Sequence, residues 1–163
     1  KQVTNQKNHP MKTATLIAAL ISMLLLTFSS FSQKMNNQKL IKHLSTECDS
    51  ISGNDGNWQL FYRGIVVLAI TDENTNRIKL LSPIAYTKDV NSEVIGKCME
   101  ANFENLKDVK YAISNDIIWS VFDHDFRLLS TEQIDEAILQ VYFSTGTFGG
   151  NYSSTDISIA ENK

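Results

Sequence analysis

Residues 58–81 hold three short apolar runs separated by turn residues, and this pattern limits the stretch to an antiparallel meander. Trp58, Leu60, Phe61 and Tyr62 make residues 58–62 aromatic-rich and extended, and Arg63-Gly64 can supply a tight turn. Residues 65–70 are an unbroken β-branched and apolar run, as in a central strand. Residues 72–76 are a polar turn, and residues 77–81 begin a third strand that Pro83 is expected to close. The connections are too short for a crossover helix, so neighbouring strands must run antiparallel.

Helical periodicity brackets this meander. Leu40, Ile41, Leu44, Cys48 and Ile51 recur at helical spacing, with Lys39, Lys42, His43 and Glu47 between them. They predict an amphipathic helix over residues 36–52, which Gly53-Asn54-Asp55-Gly56 ends as it opens a turn. Residues 89–92 cap a second helix, where Val94, Ile95, Cys98, Met99, Ala101, Phe103 and Leu106 form an apolar surface wider than one sheet face needs. Two strands follow, 110–114 and 117–126, joined by Asn115-Asp116 as a two-residue hairpin turn. Ser130-Thr131-Glu132-Gln133 is a capping box for a last helix lined by Ile134, Ala137, Ile138, Val141 and Tyr142, with Gly146 placed to end it. The expected class is α+β, in the order α-β-β-β-α-β-β-α, with helices packed on an antiparallel sheet.

Ahead of this body, Met11 and Lys12 precede an apolar stretch at residues 15–28, then Ser29-Ser30-Phe31-Ser32 before Gln33. A basic start, a short apolar middle and small residues at the cut are the parts of a secretory signal. The stretch is shorter than the about 20 residues needed to span a bilayer, so no stable membrane span is expected after processing. The expected organisation is an upstream, non-native or mis-called segment at 1–10 and a signal peptide at 11–32, cut between Ser32 and Gln33. A single domain at 33–148 and a flexible tail at 149–163 follow. The expected location is exported, periplasmic or secreted.

Removing residues 1–32 takes away Lys1, Lys7 and Lys12 and no acid, so 15 basic and 18 acidic side chains become 12 and 18, a formal net of −6. Such a surface repels the phosphate backbone of nucleic acid and anionic membranes.

Chemistry-bearing residues are sparse. An oxidising compartment would permit a Cys48–Cys98 disulfide, yet both sit on apolar faces of predicted helices, where free cysteine is a common small core residue. Neither has a second Cys or His at metal-ligand spacing. In Asp123-His124-Asp125, strand alternation puts Asp123, Asp125 and Arg127 on one face and Phe122, His124 and Phe126 on the other. His124 then reads as a partly buried histidine, and His43 as a solvated one on the polar face of helix one. No Gly-x-Ser-x-Gly elbow presents a serine. Gly146-Thr147-Phe148-Gly149-Gly150 follows a helix instead of leading into one, so it is no phosphate cradle. Asn151-Tyr152-Ser153 fits the glycan acceptor pattern. Trp58, Phe61, Tyr62 and Trp119 could form an aromatic binding surface, but strand aromatics more often fill a core.

The element order resembles type III secretion chaperones of the Tir-chaperone type and their relatives, the YbjN-like domains, over about residues 35–148. The carriers are Trp58 and Gly64, then Arg77-Ile78-Lys79-Leu80-Leu81-Ser82-Pro83-Ile84, Glu100-Ala101-Asn102-Phe103-Glu104-Asn105-Leu106, Lys110-Tyr111-Ala112-Ile113 and Leu129-Ser130-Thr131-Glu132-Gln133-Ile134. The resemblance implies a non-enzymatic domain that needs no cofactor and binds a protein or peptide. It also implies a homodimer through the second helix, with Val94, Ile95, Met99 and Phe103 as the candidate seam. YbjN-like proteins are labelled sensory-transduction regulators, which implies no chemistry. Cytosolic secretion chaperones are not exported, so the leader separates this chain from effector loading. Two alternatives stand beside this reading: a small exported hydrolase using His124 with Asp123 or Asp125, and a carrier of an apolar small molecule between sheet and helices.

Overall fold

The computed structural model describes residues 34–155. The upstream segment at 1–10, the leader at 11–32, the Ser32–Gln33 junction and the end of the tail at 156–163 lie outside the described residues.

Helix α1 spans Asn37–Glu47 and opens on Asn36, whose side chain accepts the Lys39 N–H at 2.9 Å. It buries Leu40 and Leu44 completely. The expected helix to residue 52 is not formed. Cys48 turns extended, and residues 50–54 become a strand, β1 (Ser50–Asn54), which pairs antiparallel with β2 (Asn57–Tyr62). The Asp55-Gly56 turn explains this: both residues take positive φ, 45° and 86°, the mirror-image turn whose twist suits a hairpin. Tertiary pairing overrides the helical spacing of Cys48 and Ile51.

Strands β3 (Ile65–Asp72) and β4 (Arg77–Tyr86) continue the meander, with Arg63-Gly64 at φ 48° and 87° making the β2–β3 turn. Pro83 does not close β4. The pairing of β4 with β3 stops at Leu81, so the strand beyond needs hydrogen bonds on one side only, and a register shift between Pro83 and Ala85 absorbs the missing N–H. Helix α2 (Ser92–Glu104), strands β5 (Val109–Ser114) and β6 (Ile117–Asp125) and helix α3 (Thr131–Gly146) follow. Asn115 and Asp116, at φ 52° and 59°, make the β5–β6 hairpin.

The result is α+β: the described residues form three α-helices and a six-stranded antiparallel sheet in the order β1-β2-β3-β4-β6-β5, one strand more than the five expected. The last helix begins as its capping box dictates, with Ser130 Oγ accepting the Gln133 N–H and Gln133 Oε1 accepting the Ser130 N–H. Ile134, Ala137, Ile138 and Val141 bury against the sheet, opposite Leu60, Val67, Ile78, Leu80 and Phe122. Three polar side chains inside this layer are paired: Tyr111 donates to the Ser144 carbonyl at 2.6 Å, and Ser120 and Ser144 share a hydroxyl bond at 2.6 Å.

Within the stretch expected to loosen from residue 149, Tyr152 and Ser154 are buried, while Gly149, Gly150, Asn151 and Thr155 are exposed. Tyr152 is 6% exposed and meets Tyr111 and Phe148 edge to face, and Ser154 Oγ accepts the Lys107 N–H at 3.1 Å. One buried aromatic among Gly, Ser and Asn anchors a segment whose composition alone reads as loose.

Candidate partner-binding surface

Helix α2 shows two apolar faces, and the core uses one. Asn91 caps it by accepting the Val94 N–H at 2.9 Å. Cys98 and Ala101 are buried, and Val94 and Ile95 are half-buried. Met99 is 51% exposed and Phe103 is 91% exposed. Ile95, Met99 and Phe103 stand four residues apart and so form one stripe along the outside of the helix. Leaving a phenylalanine in water forgoes about 2 kcal/mol of burial.

Loose packing does not explain this exposure, because α2 is held in register on β5. Asn102 Nδ2 donates to the Tyr111 carbonyl at 3.0 Å, and its Oδ1 accepts the Tyr111 N–H at 2.7 Å. Lys97 pairs with Glu93 at 3.0 Å on the neighbouring face, leaving the stripe flanked by charge. The four seam residues read from the sequence therefore fall into two half-buried positions and two exposed ones on one helix.

A second apolar surface lies on the sheet face opposite the buried one. Phe61 is 44% exposed, and Val66, Leu68, Leu81, Trp119 and Val121 are half-buried beside it. Their pairings, Phe61 with Val66, Leu68 with Leu81 and Leu81 with Val121, run across four strands. The four aromatics read as one group are thus divided: Trp58 and Tyr62 enter the core, while Phe61 and Trp119 face outward.

The charged row at the end of that face is structural. Arg77 Nη1 donates to Asp125 at 3.1 Å and Arg77 Nε to Asp123 at 3.1 Å, and Lys79 lies 3.4 Å from Asp123. His124 lies on the opposite face and is exposed, not partly buried. Its ring stacks on Phe122 at 5.8 Å, and its Nδ1 lies 3.2 Å from the Asp125 backbone carbonyl. Strand alternation keeps its imidazole from both neighbouring carboxylates, so the triplet does not assemble the dyad the hydrolase alternative needs.

His43 is not a free solvated residue either. Its Nε2 meets Asp135 Oδ1 at 2.6 Å, joining α1 to α3, with the histidine side chain 19% exposed. Spacing in the sequence could not reveal a pair that lies 92 residues apart.

Both cysteines are free thiols. The candidate Cys48–Cys98 bridge is not formed, because Cys48 lies at the β1 side of the sheet and Cys98 on the helix over β5, the opposite edge. Six strands place those edges roughly 24 Å apart, beyond any disulfide. Burial, then the charges of Asp49, Glu47 and Asp135, pushes the Cys48 thiol up to about 11; burial also raises Cys98. Such thiols stay protonated near neutrality and are poor nucleophiles.

Between α3 and β6 lies a cavity of about 120 Å³ lined by Asp108, Phe122, His124, Glu136 and Gln140 among others. An apolar ligand needs roughly 300 Å³ or more of mainly apolar lining, so this cavity does not serve the carrier alternative. Among the described residues no cluster of three or more His, Cys, Asp or Glu could hold a metal ion. Among them, too, no helix is long and apolar enough to cross a membrane.

No family model matches the chain, and no curated protein matches it. One similar solved structure is that of the HopA1-SchA chaperone-effector complex, with a TM-score of 0.55 at 10% sequence identity over 68% of this chain and 91% of that chain. The chain therefore has a chaperone-like α+β fold, as its element order led us to expect.

Proposed function

We propose that this is an exported, non-enzymatic protein-binding domain of YbjN-like type, regulatory or chaperone-like in role, and that α2 supplies its principal contact surface. The observation that carries the reading is Phe103. A large apolar side chain is left 91% exposed on a helix whose other face is pinned to the sheet. Contiguous exposed apolar surface of this kind marks protein contacts. The similar fold occurs in a complex of a chaperone with an effector, which supports a protein as the partner.

Two copies packing through Val94, Ile95, Met99 and Phe103 would cover the stripe. The leader at 11–32, cut after Ser32, supplies the export, and the acidic mature chain keeps nucleic acid off. The test is chemical crosslinking and capture from the exported fraction of the native host, with Phe103→Asp as control. Specific protein partners, this chain included, that disappear with the substitution are expected. An identical set captured by wild type and variant would refute the assignment.

A further inference from the structure

The outer face of α2 carries a glycine that folding does not need. Gly96 stands inside the helix with helical backbone, and a Cβ there would meet nothing within 4 Å among the described residues. Glycine in a helix interior costs stability relative to alanine, and one use of it is to let another backbone come close. Gly96, Met99 and Phe103 fall at i, i+3 and i+7, on one side of the helix. A patch without side chain therefore adjoins the two exposed apolar residues.

The described end of the chain is already seated against α2. Tyr152, buried against Tyr111 and Phe148, lies near Lys97 and Cys98. Ser154 Oγ accepts the Lys107 N–H at 3.1 Å, and Ser153 Oγ accepts the Thr155 N–H at 3.2 Å, which turns the chain there. Lys107 follows Phe103 by four residues, and the bond from the Leu106 N–H to the Ala101 carbonyl keeps the helix end coiled. The Cα atoms of residues 103 and 107 thus lie within roughly 9 Å. Three residues beyond Ser154 span up to roughly 10 Å, which brings Ile157 within reach of the Phe103 ring.

The residues that follow match the stripe in spacing. Ile157 and Ile159 lie two apart, so an extended chain presents both on one side, about 6.6 Å apart. Phe103 and Met99 lie four apart, about 6 Å along a helix. A run antiparallel to α2 sets Ile157 on Phe103 and Ile159 on Met99. Residue 160 then stands about 10 Å beyond residue 157, and Gly96 about 10.5 Å beyond Phe103, so the backbone passes over the glycine.

We propose that residues 156–160 form a strap that closes in cis over the outer stripe of α2. The strap occupies the surface that a protein partner or a second copy needs, and so regulates access to it. Two isoleucines make a weak contact, but a short tether supplies millimolar effective concentration, which keeps open and closed states both populated. The regulatory role rests on the protein-binding reading; the placement of the strap does not.

The test is disulfide trapping in the mature chain, read against a glutathione redox buffer as an effective concentration, with peptide mapping to identify the bond. Phe103→Cys is paired with Ile157→Cys and, separately, with Glu161→Cys. Loop closure depends weakly on length, so a free tail gives both pairs similar values. A seated strap holds residue 161 about 13 Å from residue 157. We expect the pair with Ile157→Cys to exceed the other roughly fivefold, in bonds within one chain. Equal values, or bonds between chains, overturn the strap. Gly96→Leu should cut trapping of the first pair roughly fivefold while leaving the urea midpoint as high as before or higher. Trapping unchanged by Gly96→Leu overturns the passage over the glycine.

A second measurement keeps the native stripe. Opening the strap with Ile157→Asp and Ile159→Asp should raise binding of the apolar dye bis-ANS roughly threefold, a rise that Phe103→Asp abolishes. Dye binding unmoved by the opening overturns the cover. If trapping and dye agree but no host protein is captured, the protein-binding reading fails alone and the strap stands.

Discussion

The side-chain amide of Asn102 occupies the place of a neighbouring strand beside Tyr111, accepting from its N–H and donating to its carbonyl. One residue thereby closes part of the outer edge of β5 and fixes α2 against the sheet. At the opposite edge no side-chain amide covers β1 in this way among the described residues. Sheets whose edges stay open invite further strands, so the two edges of this one are treated differently.

Replacing Asn102 with alanine leaves the Tyr111 N–H and carbonyl without their side-chain partner. We predict a loss of about 1–2 kcal/mol in urea unfolding, together with faster exchange of the Tyr111 amide. Unchanged exchange at Tyr111 would show that the edge is covered by something other than Asn102.

Phe103→Asp should change association and not folding. At 91% exposure the ring contributes little to the monomer, so the unfolding free energy should move by no more than about 0.5 kcal/mol. Light scattering should show wild-type mass falling to that of one chain. A wild-type protein that is already a strict monomer removes the seam between copies.

The His43–Asp135 pair ties α1 to α3. Asp135 is 43% exposed, which discounts the bond through solvent screening. Asp135→Asn should therefore destabilise by only about 1 kcal/mol, with the earliest loss of amide protection in α1. Protection lost evenly over all elements would contradict this role.

Cys48 sets a pH dependence. Its pKa is raised in the folded chain from 9.0 to about 11, with burial the largest cause. Above pH 9 the unfolded chain loses this proton while the folded chain keeps it. The resulting stabilisation is present in full below pH 9 and is lost as pH rises through about 11. Stability in that window should fall less steeply for Cys48→Ser, and alkylation of Cys48 should accelerate near pH 11 instead of 9. Alkylation that is already half-maximal at pH 9 would refute the shift.

Much of the fold was legible because its signals are local. The Ser130–Gln133 capping box, the Arg63-Gly64 and Asn115-Asp116 turns and the aromatic-rich run at residues 58–62 each specify structure within a few residues. Strand β1 was not legible, because Cys48 and Ile51 keep helical spacing while the pairing that overrides it comes from β2. Asp55-Gly56 was the available signal, being a hairpin turn as readily as a helix stop. The α2 stripe was visible as an excess of apolar residues, whereas Asn102 and the His43–Asp135 pair depend on tertiary contact. Tyr152 was missed because a single aromatic anchors a stretch that is otherwise polar and glycine-rich.

Site-specific photo-crosslinking in the native host tests the central claim most directly. A photoreactive phenylalanine analogue at Phe103 is compared with the same group at Lys110, an exposed position on β5. The account predicts discrete protein adducts from position 103 in the exported fraction and none from position 110. No adduct at 103, or the same adducts from both positions, would contradict a protein-binding surface on α2.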